Sequence, residues 1–252
     1  MSQQKELLKG SLAPTDLVKS VRYKSDFRKE HPDYFDPEGL MIFCGPQGSG
    51  KTLSAVQYCQ KIIKEYPNCI FCSNVEIAGV DRIPYEGIKS LSEIQNGYNG
   101  VLYLIDEIHL EWNSLESKNI SIEEMTEFAQ QRKQRKHIVG TSQVYMRLAK
   151  PLREQIKNVV LCENYFGLIQ HNKLINGLTA TEENGKLNAE VMGNYWWFHR
   201  PELYSCYDTF AKMQRYSKEW KGRKTGAQPM PYQGFYNGGS NAAFSDQRRG
   251  RL

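Results

Sequence analysis

Gly45-Pro46-Gln47-Gly48-Ser49-Gly50-Lys51-Thr52 gathers three glycines, a lysine and two hydroxyls into one short stretch. Glycines let a backbone curl until several N–H groups converge on an anion. A helix that starts where the stretch ends adds the positive pole of its dipole. In that setting Lys51 reaches the β- and γ-phosphates of a nucleoside triphosphate, and the Thr52 hydroxyl ligates Mg2+. A second set stands 54 residues beyond Thr52, where Asp106-Glu107 closes the apolar run Val101-Leu102-Tyr103-Leu104-Ile105. An aspartate at such a strand end holds Mg2+ through water, and the glutamate after it orients and deprotonates an attacking water. Together the two sets read as a site for ATP and Mg2+ whose chemistry is hydrolysis. A kinase uses the same loop, but Glu107 beside Asp106 favours water as the acceptor.

These residues need a particular scaffold. The loop follows the apolar run Leu40-Met41-Ile42-Phe43-Cys44 and precedes Leu53, Val56, Cys59, Ile62 or Ile63, and Tyr66, which recur at helical spacing up to Pro67. That is a strand turning into a helix. Cys69-Ile70-Phe71-Cys72-Ser73-Asn74-Val75 reads as a second strand, a short helix is expected over 90–95, and the run ending at Ile105 reads as a strand buried on both faces. Its carboxyl end opens on the ligand crevice of a parallel sheet. Ser121-Ile122-Glu123-Glu124 is a capping box for a helix carrying Met125, Phe128, Ala129 and Arg132 on one face. Ile138-Val139-Gly140-Thr141-Ser142-Gln143 reads as a further strand. In a parallel sheet its end lies beside the loop and Asp106, so Gln143 is expected to sense the γ-phosphate or position the water, the plainer alternative being a strand terminator.

Arg132, Lys133, Arg135, Lys136, Arg147, Lys150 and Arg153 follow one another with no acid among them. An arginine from one subunit can stabilise charge on the phosphoryl group bound by another, and Arg132, Arg135 and Arg153 lead for that role. Others in the run suit DNA phosphates, and a solvated helical face explains most of them equally well.

Composition sets the outer limits. The chain has 252 residues, 40% of them hydrophobic and 24% charged, as expected of a globular protein able to bury a core. No apolar run approaches the roughly 18 residues of a membrane span, and the N-terminus lacks a signal-peptide core, so a cytoplasmic location is expected. Six scattered cysteines fit free buried thiols, and Cys69-Ile70-Phe71-Cys72 suits strand packing better than a metal or redox role. The net charge of +5 is concentrated at the end, where residues 212–252 hold nine Lys/Arg against Glu219 and Asp246. Such a tail touches nucleic acid or an acidic partner, or simply aids solubility.

Asn158-Val159-Val160-Leu161-Cys162 reads as a fifth strand. Beyond it, residues 165–169 and 189–198 look like extended segments around Asn-Gly turns, which implies a small antiparallel β appendage. The cluster Tyr195-Trp196-Trp197-Phe198 reads as core-filling, with stacking on nucleic-acid bases as the alternative. The expected organisation is an N-terminal extension over 1–38, a nucleotide-binding core over 39–164, a hairpin and basic helix over 165–225, and a disordered basic tail over 226–252.

A phosphate loop, one intervening strand, an Asp-Glu strand end and then a strand closing in Thr141-Ser142-Gln143 resembles the additional-strand (ASCE) P-loop NTPases, an α/β class with helices on both faces of a parallel sheet. Asp106-Glu107-Ile108-His109, the basic run from Gln130 to His137, Pro151-Leu152-Arg153 and Tyr207-Asp208-Thr209 are similar to the FtsK/HerA group, in particular the zonular occludens toxin-like ATPases of phage. The resemblance covers about residues 38–210. It implies a homo-oligomeric ring, often a hexamer, that moves DNA during virion assembly or extrusion, with viral portal, capsid or membrane partners, in the host cytoplasm or on the virion. Filamentous-phage members carry a membrane-spanning segment after the ATPase domain, and this chain has none, so a DNA-packaging or DNA-translocating ATPase fits better than extrusion. The competing reading is an ATP-dependent assembly factor that moves no DNA. Guanine recognition is disfavoured, because His171-Asn172-Lys173-Leu174 lacks the aspartate of an Asn-Lys-x-Asp motif.

Overall fold

The computed structural model describes residues 13–37, 39–114, 122–131, 133–183 and 186–207. Arg132, Ser121 of the capping box, the Asp208-Thr209 pair, the basic helix and the tail lie outside the described residues. In chain order the elements are α1 (Pro14–Glu30), β1 (Gly39–Cys44), α2 (Lys51–Glu65), β2 (Ile70–Ser73), β3 (Ile83–Pro84), α3 (Ile88–Glu93), β4 (Val101–Ile105), α4 (Ile122–Gln130), β5 (Lys136–Ser142), α5 (Lys150–Arg153), β6 (Ile156–Tyr165), β7 (Ile169–Asn176), β8 (Thr181–Glu183), β9 (Lys186–Asn188), β10 (Val191–Phe198) and α6 (Pro201–Ser205). Among the described residues no helix is long and apolar enough to cross a membrane.

One sheet of eight strands runs β10-β7-β6-β1-β5-β4-β2-β3, and β8 pairs with β9 in a separate hairpin. From β6 to β3 every pairing is parallel. The later strand β5 is inserted between β1 and β4, the topology expected of an additional-strand sheet. Its register sets Cys44 opposite Ser142 and Ile105 opposite Gly140, which brings the ends of all three strands to one edge. Gly140 permits this closeness. A Cβ there would meet the Ile42 and Ile108 side chains at 2.7 and 2.9 Å, inside contact distance.

The apolar pattern explains the layering. Val101, Tyr103 and Ile105 of β4 enter a cluster with Leu91 of α3, Phe128 of α4 and Leu152 of α5, while Leu102 and Leu104 enter another with Ala55, Val56, Cys59 and Ile62 of α2. A strand covered on both faces must be continuously apolar, and every residue of β4 is buried. α2 ends before Pro67, its last turn closed by the Tyr66 N–H on the Ile62 carbonyl at 2.7 Å. All six cysteines are free, and burial pushes Cys69 and Cys72 up to about 11, so these thiols stay protonated and pack as small apolar groups.

The antiparallel part grows directly onto this sheet. β6 runs ten residues, well past Cys162, and pairs in parallel with β1 on one side and antiparallel with β7 on the other. The chain then reverses at Phe166 and Gly167, both with positive φ, so the stretch 165–169 is a turn between two strands rather than an extended segment. β10 closes the edge against β7. The aromatic cluster is accordingly not core: Tyr195, Trp196 and Phe198 of β10 are more than half exposed, because an edge strand here lacks a covering layer of described residues. Trp196 instead stacks on His171 at 4.0 Å and Tyr165 at 5.6 Å.

Candidate active site

The loop between β1 and α2 is held in shape by its protein neighbours. The Gly45 N–H donates to the Ser142 carbonyl at 3.3 Å, tying the loop to the end of β5. A Cβ on Gly45 would meet Ser49 Oγ at 2.3 Å and the Cys162 carbonyl at 2.8 Å, so a side chain at that position would force the loop open. Gly50 has φ +76 and faces Gln170, whose Oε1 would lie 2.1 Å from an added Cβ. After Gly50 the helix starts at once, with the Ser54 N–H on the Gly50 carbonyl at 2.8 Å. The N–H groups of the first turn, which have no intrahelical partner, open on the loop.

Two features of the loop favour an anion with oxygen atoms. Ser49 Oγ is shielded from solvent and has no hydrogen-bond partner among the described residues. Lys51 is 7% exposed, and its Nζ lies 3.9 Å from Glu107 Oε1, an ion pair longer than a hydrogen bond. A buried ammonium with donors to spare is suited to a phosphate. Metal donors are present as well. Thr52 Oγ1 donates to Asp106 Oδ1 at 3.0 Å, joining the two sequence motifs, and hard oxygen donors of this kind fit Mg2+.

Asp106 and Glu107 are positioned by groups at the ends of β2 and β5. The Asn74 side chain, just past β2, brackets Asp106 by donating to its carbonyl at 3.0 Å and accepting from its N–H at 2.8 Å. Thr141 donates to Asp106 Oδ1 at 2.5 Å and accepts the Glu107 N–H at 2.8 Å. Glu107 itself adopts φ 58 and ψ 42, a left-handed conformation costing a non-glycine residue roughly 1–2 kcal/mol. Such strain is typical of functional positions, and here it turns the chain out of β4 with the carboxylate between Lys51 and His109. His109 Nε2 is 3.3 Å from Glu107 Oε2, and its Nδ1 is 3.3 Å from Ser142 Oγ.

The other residues expected at the site fall elsewhere. Gln143 comes one residue after β5 and is half-buried, and the contact from this strand end to Asp106 and Glu107 is that of Thr141. Arg135 precedes β5 at the amino-terminal end of the sheet, its guanidinium 3.9 Å from the Tyr34 ring centroid. Arg153 ends α5 just before β6, again at the amino-terminal end, with Nη1 against the Met146 sulfur. The phosphate loop leaves the carboxyl-terminal ends, so within one chain neither arginine belongs to the site.

Further support for the loop comes from β7 and the segment after β10. Gln170, fully buried, donates from Nε2 to the Ser49 carbonyl at 2.9 Å and to Asn172 Oδ1 at 3.1 Å. Asn172 Oδ1 also accepts from Ser54 Oγ of α2 at 3.1 Å. Sequence reasoning missed Gln170 and Asn172 of β7 and His199 just after β10, which stand more than 100 residues from the loop in a region without a motif. Asn74 carried a usable signal, since it stands at the carboxyl end of a strand beside β4, where ligand-binding residues collect.

Comparison with known proteins identifies the family. The family model described as zonular occludens toxin matches residues 39–214. The N-terminal domain of zonular occludens toxin from Neisseria meningitidis superposes with a TM-score of 0.50 at 13% identity, over 68% of this chain and 100% of that one. The genome packaging NTPase B204 of Sulfolobus turreted icosahedral virus 2, in complex with AMP, aligns with a TM-score of 0.42 at 8% identity, over 62% of this chain and 98% of that one. No curated protein sequence matches. With the loop, the Asp106-Glu107 strand end and the inserted strand β5 in the places a P-loop NTPase sheet requires, and the family model spanning well over half of its length, the chain belongs to the zonular occludens toxin family.

Proposed function

We propose that the chain is an Mg2+-dependent ATP hydrolase that works as a homo-oligomeric ring and moves DNA during phage genome packaging or virion assembly, in the host cytoplasm or on the virion, with portal, capsid or membrane partners. The observation that carries the hydrolase reading is the meeting of Thr52 and Asp106 at 3.0 Å beside the Lys51–Glu107 pair. On this reading residues 54 apart in sequence supply a phosphate seat, a pair of metal donors and a base. Thr52 and Asp106 would hold Mg2+, which neutralises charge on the β- and γ-oxygens when bound.

The protein groups then have distinct tasks. Backbone N–H groups of the loop and the start of α2 hold the phosphates, and Lys51 takes the γ-phosphate side. A γ-phosphate draws Lys51 from Glu107, freeing Oε1 to accept a proton from water while Oε2 stays with His109. Thr141 keeps the geometry by holding Asp106 and the Glu107 N–H together. Thr141→Val, which preserves shape and removes both contacts, should lower turnover roughly 10–100-fold with little change in ATP affinity. Steady-state phosphate release alongside calorimetric ATP titration checks this, and unchanged turnover would leave Thr141 without its positioning role.

The ring and the DNA rest on family membership and on the arginines that lie away from their own loop. Arg135 or Arg153, useless in cis, suits a neighbouring subunit's phosphates. DNA-stimulated ATPase activity, with oligomer mass recorded with and without nucleotide, tests the motor. Double-stranded DNA should raise turnover severalfold, and nucleotide should shift the mass to a ring. Hydrolysis indifferent to DNA and carried out by a monomer would assign the chain to nucleotide-driven assembly instead.

A further inference from the structure

Beside the phosphate loop lies a cavity of about 260 Å3 lined by Gly48, Lys51, Thr52 and Leu53 on one side and by Asn164, His199, Tyr204 and Tyr207 on the other. Its volume approaches the roughly 300 Å3 lower bound of small-molecule sites. Phosphate chemistry accounts for the first wall and leaves the second unexplained.

Asn164, near the end of β6, donates from Nδ2 to the Gly48 carbonyl at 3.3 Å, which fixes the orientation of its amide. Its Oδ1 is shielded from solvent and has no partner among the described residues. A buried acceptor of that kind is costly unless a donor arrives. Tyr204, on α6, is half-exposed at the rim, and Tyr207 is buried deeply enough that its hydroxyl is pushed up to about 12, chiefly by desolvation and then by the charge of Asp106. An aromatic ring at the mouth and an unpaired acceptor in the wall are the two elements by which a protein holds a nucleobase, stacking on one face and reading one edge.

Tyr204 is held at the turn that follows β6. The Tyr204 hydroxyl lies 2.5 Å from His199 Nδ1 and 2.6 Å from the Gly167 carbonyl, and His199 Nε2 lies 3.1 Å from Gln170 Oε1. Gln170 spends its amide protons on Ser49 and Asn172, so its Oε1 must accept. His199 donates from Nε2 to Gln170, while Tyr204 donates its one proton to the Gly167 carbonyl and rests its oxygen against His199 Nδ1, and burial lowers the imidazole pKa. His199 and Gln170, rather than Tyr204, therefore carry the hydrogen bonds that reach the carbonyl of Ser49 in the loop.

We propose that this wall is the nucleoside seat of the site, with Tyr204 stacking on the base and Asn164 Oδ1 accepting from the 6-amino group of adenine. The proposal rests on the nucleotide-binding reading above and adds how the base is chosen. Inosine triphosphate sets a carbonyl oxygen where adenine has its amino group, so it would face Asn164 acceptor to acceptor.

The test is equilibrium binding of ATP, inosine triphosphate and inorganic tripolyphosphate to the full chain and to Lys51→Ala, Tyr204→Ala and Tyr204→Phe. Wild type should bind ATP about tenfold or more tighter than either other ligand. Tyr204→Ala should bring ATP down toward tripolyphosphate while leaving tripolyphosphate unchanged, which also certifies the fold of the variant. Tyr204→Phe keeps the ring and should keep the margin. Inosine triphosphate binding as tightly as ATP, or a full ATP margin in Tyr204→Ala, overturns the seat, and the phosphate site still stands if Lys51→Ala loses every ligand. A wild type that binds none of the three removes the nucleotide-binding reading and the seat with it. The inosine comparison needs no substitution at all, so it remains decisive should the Tyr204→Ala variant fail to fold.

Discussion

Lys51→Ala should weaken ATP binding about 100-fold and reduce turnover to background. A charge-assisted hydrogen bond is worth roughly 1.5–3 kcal/mol, and the buried ammonium is placed to make more than one with a triphosphate. The position also matters for what remains. Without Lys51, Glu107 loses its 3.9 Å cationic neighbour while staying four-fifths buried, so the loop would present a carboxylate to an incoming anion. Binding therefore suffers twice, once from the lost attraction and once from the new repulsion. Calorimetric titration and a phosphate-release assay read both quantities. An ATP dissociation constant within about threefold of wild type, together with retained hydrolysis, would show that the stretch 45–52 is not the phosphate seat.

Glu107→Gln separates binding from chemistry. Glutamine keeps the size of the side chain and its reach toward Lys51 and His109, but it cannot take a proton from water. General-base assistance is worth roughly 10²–10⁴ in rate, and turnover should fall by that factor. ATP affinity should hold or rise, because neutralising Glu107 releases Lys51 to the phosphates. A variant that hydrolyses ATP at the wild-type rate would remove Glu107 from the role of base, and His109 at 3.3 Å would be the next residue to replace. Loss of both binding and turnover would instead mean that the left-handed turn at Glu107 depends on its carboxylate.

Both substitutions fall on residues that the amino-acid sequence alone reveals. Gly45 to Thr52 is a local device. A tight turn followed by a helix start needs only short-range backbone preferences, so the residues that form it are contiguous and visible. The same holds for Val101 to Glu107, since a strand covered on both faces must be apolar without interruption and its carboxyl end must open on the crevice. The run from Ile138 to Ser142, with its small polar ending, shows a strand, but its place between β1 and β4 is implied only by the resemblance to additional-strand NTPases.

What periodicity cannot settle is which of those polar residues reaches the acidic pair. Thr141 and Gln143, two residues apart, would share a strand face, but the register sets Gly140 opposite Ile105 and β5 ends at Ser142, so Thr141 lies beside Asp106 and Glu107 while Gln143 has left the strand, and that register is a property of three strands at once. The aromatic run from Tyr195 to Phe198 misleads for a related reason. Burial depends on what covers a strand, and β10 stands at the edge of the sheet.

The sequence by itself thus determined the phosphate loop, the acidic strand end and the class of sheet, all of which follow from preferences acting over a few neighbouring residues. Tertiary structure alone decided that Asn74 brackets Asp106, that Gln170 supports Ser49, and that Asn164 and Tyr204 share a cavity with the loop. Those contacts join residues 32 to more than 100 positions apart, and the pairing of β2 with β4 on one side and of β6, β7 and β10 beside β1 on the other carries them to the same edge of the sheet.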